Sequence, residues 1–264
     1  MHVAFCTLTI GDAYLRLWKA SAERGWRLYC ERHGYELVVI DKPLDITARA
    51  RARSPAWQKC LILGSDIAGT FDRVVWVDAD ILINPAAPPV LDDVPVEKIG
   101  AVDESRFPTA DAHQRIVKRL AEEWTDENPS VAQNWRSFLN PADWHAYAGL
   151  PRRHGHAIQT GVLVMSPRHH RELLEHVYYH YEDVGGEAMN YEMRPLSFEI
   201  QERGLQHWID QRFNALLGFL LLHERIVVKR ELATHWEKMT FVRGAFERNY
   251  FLHIAGHQEL LRDL

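Results

Sequence analysis

Two carboxylates stand two residues apart in the run Val74-Val75-Trp76-Val77-Asp78-Ala79-Asp80. A strand sends residues i and i+2 to the same side, so Asp78 and Asp80 are expected to aim at one spot. Ala79 between them adds almost no bulk and leaves room for a ligand. Hard oxygen ligands at the mouth of a buried strand suit a divalent cation that also holds phosphates. A bare Asp-x-Asp also occurs as a solvated turn after a core strand, so the surroundings decide.

The element that must position this pair is Val74–Val77, continued by Ile81-Leu82-Ile83, an apolar run that reads as a strand buried on both faces inside a parallel sheet. Val3 to Leu8 reads as the first strand. Leu15, Trp18, Ala22 and Trp26 then recur at helical spacing, predicting one amphipathic helix to about His33 with Asp12 as its cap. Gly34 ends it, and Tyr35 to Ile40 is a second strand. Such a strand–helix–strand opening predicts an α/β sheet. Ser54-Pro55 opens a further helix carrying Trp57 and Lys59. Ile99 to Val102 is a strand with Asp103 and Glu104 at its exit, and Ala157 to Met165 is another, followed by a helix through Tyr181. Gly185-Gly186 breaks the chain, Pro195 starts a helix ending near Gly204, and Ile226 to Val228 and Tyr250 to Ile254 are late strands. Residues 111–150 are tryptophan-rich and polar without a clean period, and are expected to cover one side of the site. No repeat or linker interrupts the chain, so a single domain over residues 1–264 is expected.

Composition removes several classes. With a net charge of −5 over 264 residues, nothing electrostatic calls for a nucleic acid partner. Cys6, Cys30 and Cys60 form no Cys-x-x-Cys pair, which argues against a disulfide framework or cysteine zinc site and for a reducing, cytoplasmic setting. No basic leader precedes the first strand, so no secretory signal is expected. The longest apolar run, Ala215 to Leu222, is too short for a transmembrane segment, which leaves only peripheral membrane association open. His154 and His156 read as a polar loop rather than a second metal pair.

Five landmarks then occur in one order. The chain resembles the nucleotide-sugar-dependent glycosyltransferases of the GT-A fold, particularly the retaining glycogenin-like enzymes and the yeast-mannosyltransferase and plant-xylosyltransferase families. Thr7-Leu8-Thr9-Ile10-Gly11-Asp12-Ala13-Tyr14 is similar to their nucleotide-binding start, and Ala56-Trp57-Gln58-Lys59 to the helix supplying a basic residue. Asp78-Ala79-Asp80 matches the DXD motif, Gln159-Thr160-Gly161-Val162 the Asn-x-Gly-Val strand, and His253-Ile254-Ala255-Gly256 the C-terminal His-x-x-Gly. The resemblance implies a mostly parallel central sheet with helices on both faces. It also implies a metal-dependent transfer from a nucleotide-diphosphate sugar, a UDP-sugar, to a saccharide, glycolipid or other hydroxyl acceptor, with retention of configuration. Glu259 stands where the family continues with lysine, and Gln159 replaces the usual asparagine.

That family pattern makes His253 the third metal ligand beside Asp78 and Asp80. Imidazole beside carboxylates favours manganese, with magnesium the alternative. Leu8, Thr9 and Tyr14 would hold the base, Lys59, Asp78 and Ala79 the donor, and Gly256 a phosphate. Gln159 and Asp103 would contact the donor sugar. Glu192, on the loop before the Pro195 helix, is the expected carboxylate facing the reacting sugar. Two other classes compete. A sugar nucleotidyltransferase should open with a glycine-rich phosphate loop, and only Gly11 follows the first strand. A non-catalytic nucleotide-sugar-binding protein has no need of an intact Asp78, Asp80 and His253 set.

Overall fold

The computed structural model describes residues 1–64, 67–183, 192–224, 227–228, 231–232, 234–257 and 260–261. Gly185-Gly186, Tyr191, Ile226 and Glu259 lie outside the described residues. The strands are β1 (Val3–Leu8), β2 (Glu36–Ile40), β3 (Arg73–Val77), β4 (Ile81–Ile83), β5 (Ile99–Asp103), β6 (Ile158–Met165), β7 (Gln206–Trp208), β8 (Ala215–Leu216), β9 (Val227–Val228), β10 (Glu231–Leu232) and β11 (Phe251–His253). The helices are α1 (Asp12–Ser21), α2 (Glu23–His33), α3 (Ala48–Arg51), α4 (Ile67–Thr70), α5 (Ala110–Trp124), α6 (Pro129–Ser137), α7 (Pro141–Ala146), α8 (Pro167–His180), α9 (Met193–Glu202), α10 (Leu217–His223) and α11 (His235–Arg248).

Six strands form the central sheet in the order β2-β1-β3-β6-β5-β7. Only β6 runs against the others, pairing antiparallel with both β3 and β5. The sheet is therefore mostly parallel, as the sequence predicts. Its two faces follow from strand alternation: Phe5, Val75 and Val77 enter one core, whereas Ala4, Cys6, Val74 and Trp76 enter the other. No helix among the described residues is long and apolar enough to cross a membrane.

A second, three-stranded sheet has the order β4-β11-β8. Strand β4 begins one residue after Asp80, and β11 pairs antiparallel with it so that His253 faces Ile81. This register carries the end of the chain back to the carboxylate pair.

Several local expectations change. The helix expected from Leu15 to His33 is two helices meeting at Ala22, which has φ −115°. Ser21 Oγ donates to Leu17 O at 2.8 Å, a side-chain bond of the kind that bends helices. Gly11, at φ 98°, precedes α1, so Asp12 is its first residue rather than its cap. Residues Pro55–Gly64 wind as a 3-10 helix. The α9 helix starts at Met193, two residues before Pro195. Residues 110–146 are three helices, with Thr109, Asn128 and Asn140 capping α5, α6 and α7 by side-chain bonds to backbone N–H groups.

Helix α5 buries His113 completely against Phe219, the rings stacked at 5.4 Å. Neither ring nitrogen has a hydrogen-bond partner among the described residues. Burial pushes its pKa down from 6.5 to about 4, against a smaller opposing pull from Asp103. A depressed basic pKa contributes stability that is present above 6.5 and lost as pH falls towards 4. At ~1.4 kcal/mol per pH unit, the loss from His113 is about 3 kcal/mol. His113→Leu should flatten the acid limb of stability by about that amount, measured by urea denaturation across pH. An unchanged slope would place the acid sensitivity elsewhere.

Candidate functional site

Asp78 follows β3 directly, and the chain turns at once. Ile81 N donates to Asp78 O at 3.1 Å. Asp78 and Asp80 therefore converge through a turn, not through the two-residue repeat of a strand. Asp78 stays in register with the sheet because its N–H donates to Gly161 O at 2.8 Å. One ligand atom from each of Asp78, Asp80 and His253 lies within 4.8 Å of the other two.

His253 is 4% exposed and fixed from both sides. Its Nδ1 lies 2.8 Å from Asn214 Oδ1, which assigns that nitrogen as the donor and turns Nε2 to Asp80 Oδ1 at 3.2 Å. Burial works against a charged imidazole, but Asp80 and then Asp78 outweigh it and raise the His253 pKa. Gly161 makes the seat: a Cβ there would lie 2.6 Å from His253 Cε1 and 2.9 Å from Nδ1. The Gly161 N–H donates to Gln159 Oε1 at 2.7 Å, so Gln159 is folded back on its own strand.

Lys59 closes the other side of Asp78. It is buried on the 3-10 helix, with Nζ 2.9 Å from Asp78 Oδ1 and 2.8 Å from Glu192 Oε1. The Trp76 indole N–H also donates to Asp78 Oδ1 at 2.8 Å. Burial penalises the Lys59 charge, yet Asp78 and Glu192 together raise its pKa above the usual range. Glu192 does not stand on an open loop. It is 2% exposed immediately before α9, and its Oε1 also accepts from Thr160 Oγ1 at 2.9 Å. Of the basic roles expected for Lys59, the structure fills the pairing with the carboxylates.

The expected base-binding residues lie beside this cluster. Tyr14 is half-buried, and burial followed by the charges of Asp80 and Asp78 raises its pKa. Thr9 is fully buried just after β1, with no partner for its hydroxyl among the described residues. Leu8 is half-buried beside it, and Ala79 is 5% exposed between the carboxylates. Gly256 holds a turn at φ 76°, and a Cβ there would meet open space, so its conformation rather than a close approach calls for glycine.

Asp103 is brought to the exit of β5 but is already held. His156 Nδ1 lies 2.6 Å from Oδ2, and Ser105 donates its N–H and hydroxyl to Oδ1 at 3.1 and 2.5 Å. Next to it Glu104, 4% exposed, has its pKa pushed up to about 7 by burial, with His253 pulling the other way. Asn214 was not foreseen, and Gly161 and Glu104 stand in the sequence landmarks without these roles. For Gly161 a signal existed, because a glycine inside an apolar strand marks a close approach.

No protein-family model matches the sequence, and no curated protein matches it. Solved structures do match. A glycosyltransferase involved in the glycosylation of the major capsid of PBCV-1 superposes with a TM-score of 0.58 at 12% identity, covering 100% of both chains. The bifunctional glycosyltransferase WbbM matches with a TM-score of 0.50 at 14% identity over 97% of this chain, which spans 46% of that one. Sheet order, the reversed β6 and these superpositions together give this chain the GT-A-like α/β fold of the glycosyltransferases.

Proposed function

We propose that this protein is a metal-dependent glycosyltransferase that moves a sugar from a nucleotide-diphosphate sugar, a UDP-sugar, to an acceptor hydroxyl with retention of configuration. The observation that carries the reading is the convergence of Asp78, Asp80 and His253 in a fold of this class. The donor set fits a divalent cation. Lys59 balances one charge among Asp78, Asp80 and Glu192, so the cluster remains acidic, and His253 offers Nε2 while Asn214 holds Nδ1. Two carboxylates and one imidazole favour manganese over magnesium. When bound there, the metal supplies positive charge against the departing diphosphate.

The remaining roles belong to the chain. Leu8, the unpartnered Thr9 hydroxyl and Tyr14 would hold the base and ribose. The Gly256 turn, two residues after the Ile254 N–H that donates to Asp80 O at 2.9 Å, would offer backbone to a phosphate. Gln159, two residues before Gly161 on β6, would contact the donor sugar. Glu192 acts through Lys59, which fixes the Asp78 carboxylate. In the transfer the acceptor oxygen bonds to the anomeric carbon as its bond to the phosphate oxygen breaks. The acceptor proton passes to the departing diphosphate.

The test is a panel of nucleotide sugars offered to the manganese-loaded protein without acceptor. One donor should be hydrolysed slowly, releasing nucleoside diphosphate, and a chelator should stop the release. Absence of both binding and release across the whole panel would end the proposal.

A further inference from the structure

A pocket of about 280 Å³ opens beside the candidate centre, lined by Asp103, Arg106, Trp208, Ile209 and Gln211 among others. It is not separate from that centre. Gln211 and Asn214 are the two ends of one short 3-10 turn, so the element that walls the pocket also holds His253. Asp103 pairs in register with Ile158 on β6, three residues from the Gly161 seat of His253. At ~3.3 Å per residue, Ile158 and Gly161 are about 10 Å apart along that strand.

The chemistry of the walls is specific. Trp208 leaves 39% of its surface exposed on the edge strand β7, an unusual place for a large ring. His156 packs on its ring at 5.0 Å between centroids, and Asp103 fixes that imidazole at 2.6 Å. Arg106 leaves 68% of its side chain exposed while its Nε lies 3.4 Å from Asp103 Oδ2. Gln211 is anchored by donating to Pro108 O at 3.1 Å. The result is one flat apolar face, held by the His156 ring packed against it and rimmed by a guanidinium and an amide.

A pyranose ring has the matching surface, with C–H groups on its faces and hydroxyls around its edge. Ligand pockets commonly begin at ~300 Å³, so this one has room for a single ring rather than an extended chain. We propose that this pocket is the acceptor subsite and that it takes a saccharide, one pyranose ring stacking on Trp208 with its hydroxyls on Arg106 and Gln211. The proposal rests on the glycosyl-transfer reading for its purpose. Asp103 then serves as a positioning residue for His156 and Arg106 rather than as a contact to the donor.

The test uses simple methyl pyranosides of glucose, galactose and mannose as probes, with no donor present. The Trp208 indole N–H signal is assigned by its loss in Trp208→Phe. At least one pyranoside should shift that signal in the wild type, with millimolar affinity typical of a lone sugar on one ring, roughly −4 kcal/mol in binding. Arg106→Ala, read by the same signal, and Trp208→Ala, read beside the wild type by titration calorimetry with the pyranoside that binds, should each weaken binding about tenfold or more. Both side chains are exposed enough for the variants to fold. No shift with any pyranoside, or equal affinity in both variants, would overturn the subsite, and a pocket that answered only to peptides would do the same. Manganese-dependent nucleotide binding by the wild-type protein is measured in parallel. If that fails while the pyranoside still shifts Trp208, glycosyl transfer is at fault and the saccharide site stands. If it succeeds while Trp208 stays silent, the subsite alone is wrong.

Discussion

Asp80→Asn and His253→Ala are each expected to abolish metal-dependent nucleotide binding and to lower turnover about a thousandfold or more, while circular dichroism stays native. A cation against a departing diphosphate contributes several kcal/mol, and ~1.4 kcal/mol is tenfold in rate. The fold should survive because neither side chain carries the sheet: Asp78 stays tied through its backbone to Gly161, and β11 keeps its pairing with β4. Gly161→Ala gives the sharper form of the test. Its Cβ would lie 2.6 Å from His253 Cε1, so the imidazole must swing away from Asn214 and Asp80. Manganese affinity should then fall although every ligand is still present. Binding is read by manganese titration calorimetry. A variant that keeps wild-type manganese affinity removes that residue from the centre.

The parts of this arrangement visible in the sequence are those encoded locally. Valine runs marked β3 and β6, and a carboxylate pair at the exit of a core strand marked the site. The reason first given for the pair was wrong in detail, since a turn rather than strand alternation brings Asp78 and Asp80 together. His253 was reached only through a family resemblance, because its place beside Asp80 depends on the pairing of β11 with β4 across the whole chain. Asn214 could not be foreseen. Its bond to His253 spans 39 residues, and nothing in an asparagine after a short polar turn announces it. Trp208 was equally silent, one of nine tryptophans, because exposure is a property of the edge strand and not of the residue. The helices from 110 to 146 were obscured for another reason. The buried face of α5 is built from Ala112, His113, Ile116, Val117 and Ala121, and two alanines and a histidine blur the apolar period. Their caps were readable: Asn128-Pro129 and Asn140-Pro141 are both helix starts.

Lys59→Met is expected to destabilise the protein by about 3–5 kcal/mol. Lys59 joins three segments that are distant in sequence: the 3-10 helix that carries it, the turn after β3 through Asp78, and the start of α9 through Glu192. Its two partners differ in what they can tolerate. The Asp78 side chain is 26% exposed and keeps the Trp76 indole, so it can exchange an amine for water. The Glu192 side chain is 2% exposed and, among the described residues, would keep only the Thr160 hydroxyl. A carboxylate left there without its cation must either stay charged in a dry site or take up a proton, and both routes cost stability. Methionine fills nearly the same volume, so lost packing contributes little. The signature of the ion pair is non-additivity. Glu192→Gln alone should be milder, because Lys59 retains Asp78 and the Thr160 carbonyl at 3.4 Å. Lys59→Met with Glu192→Gln should be more stable than Lys59→Met alone, since the stranded charge is gone. Melting temperatures of the wild type, the two single variants and the double variant measure this, with the lysine variant about 10 °C low at ~2–4 °C per kcal/mol. Additive shifts would dissolve the pair and return Glu192 to a role of its own at the reacting sugar.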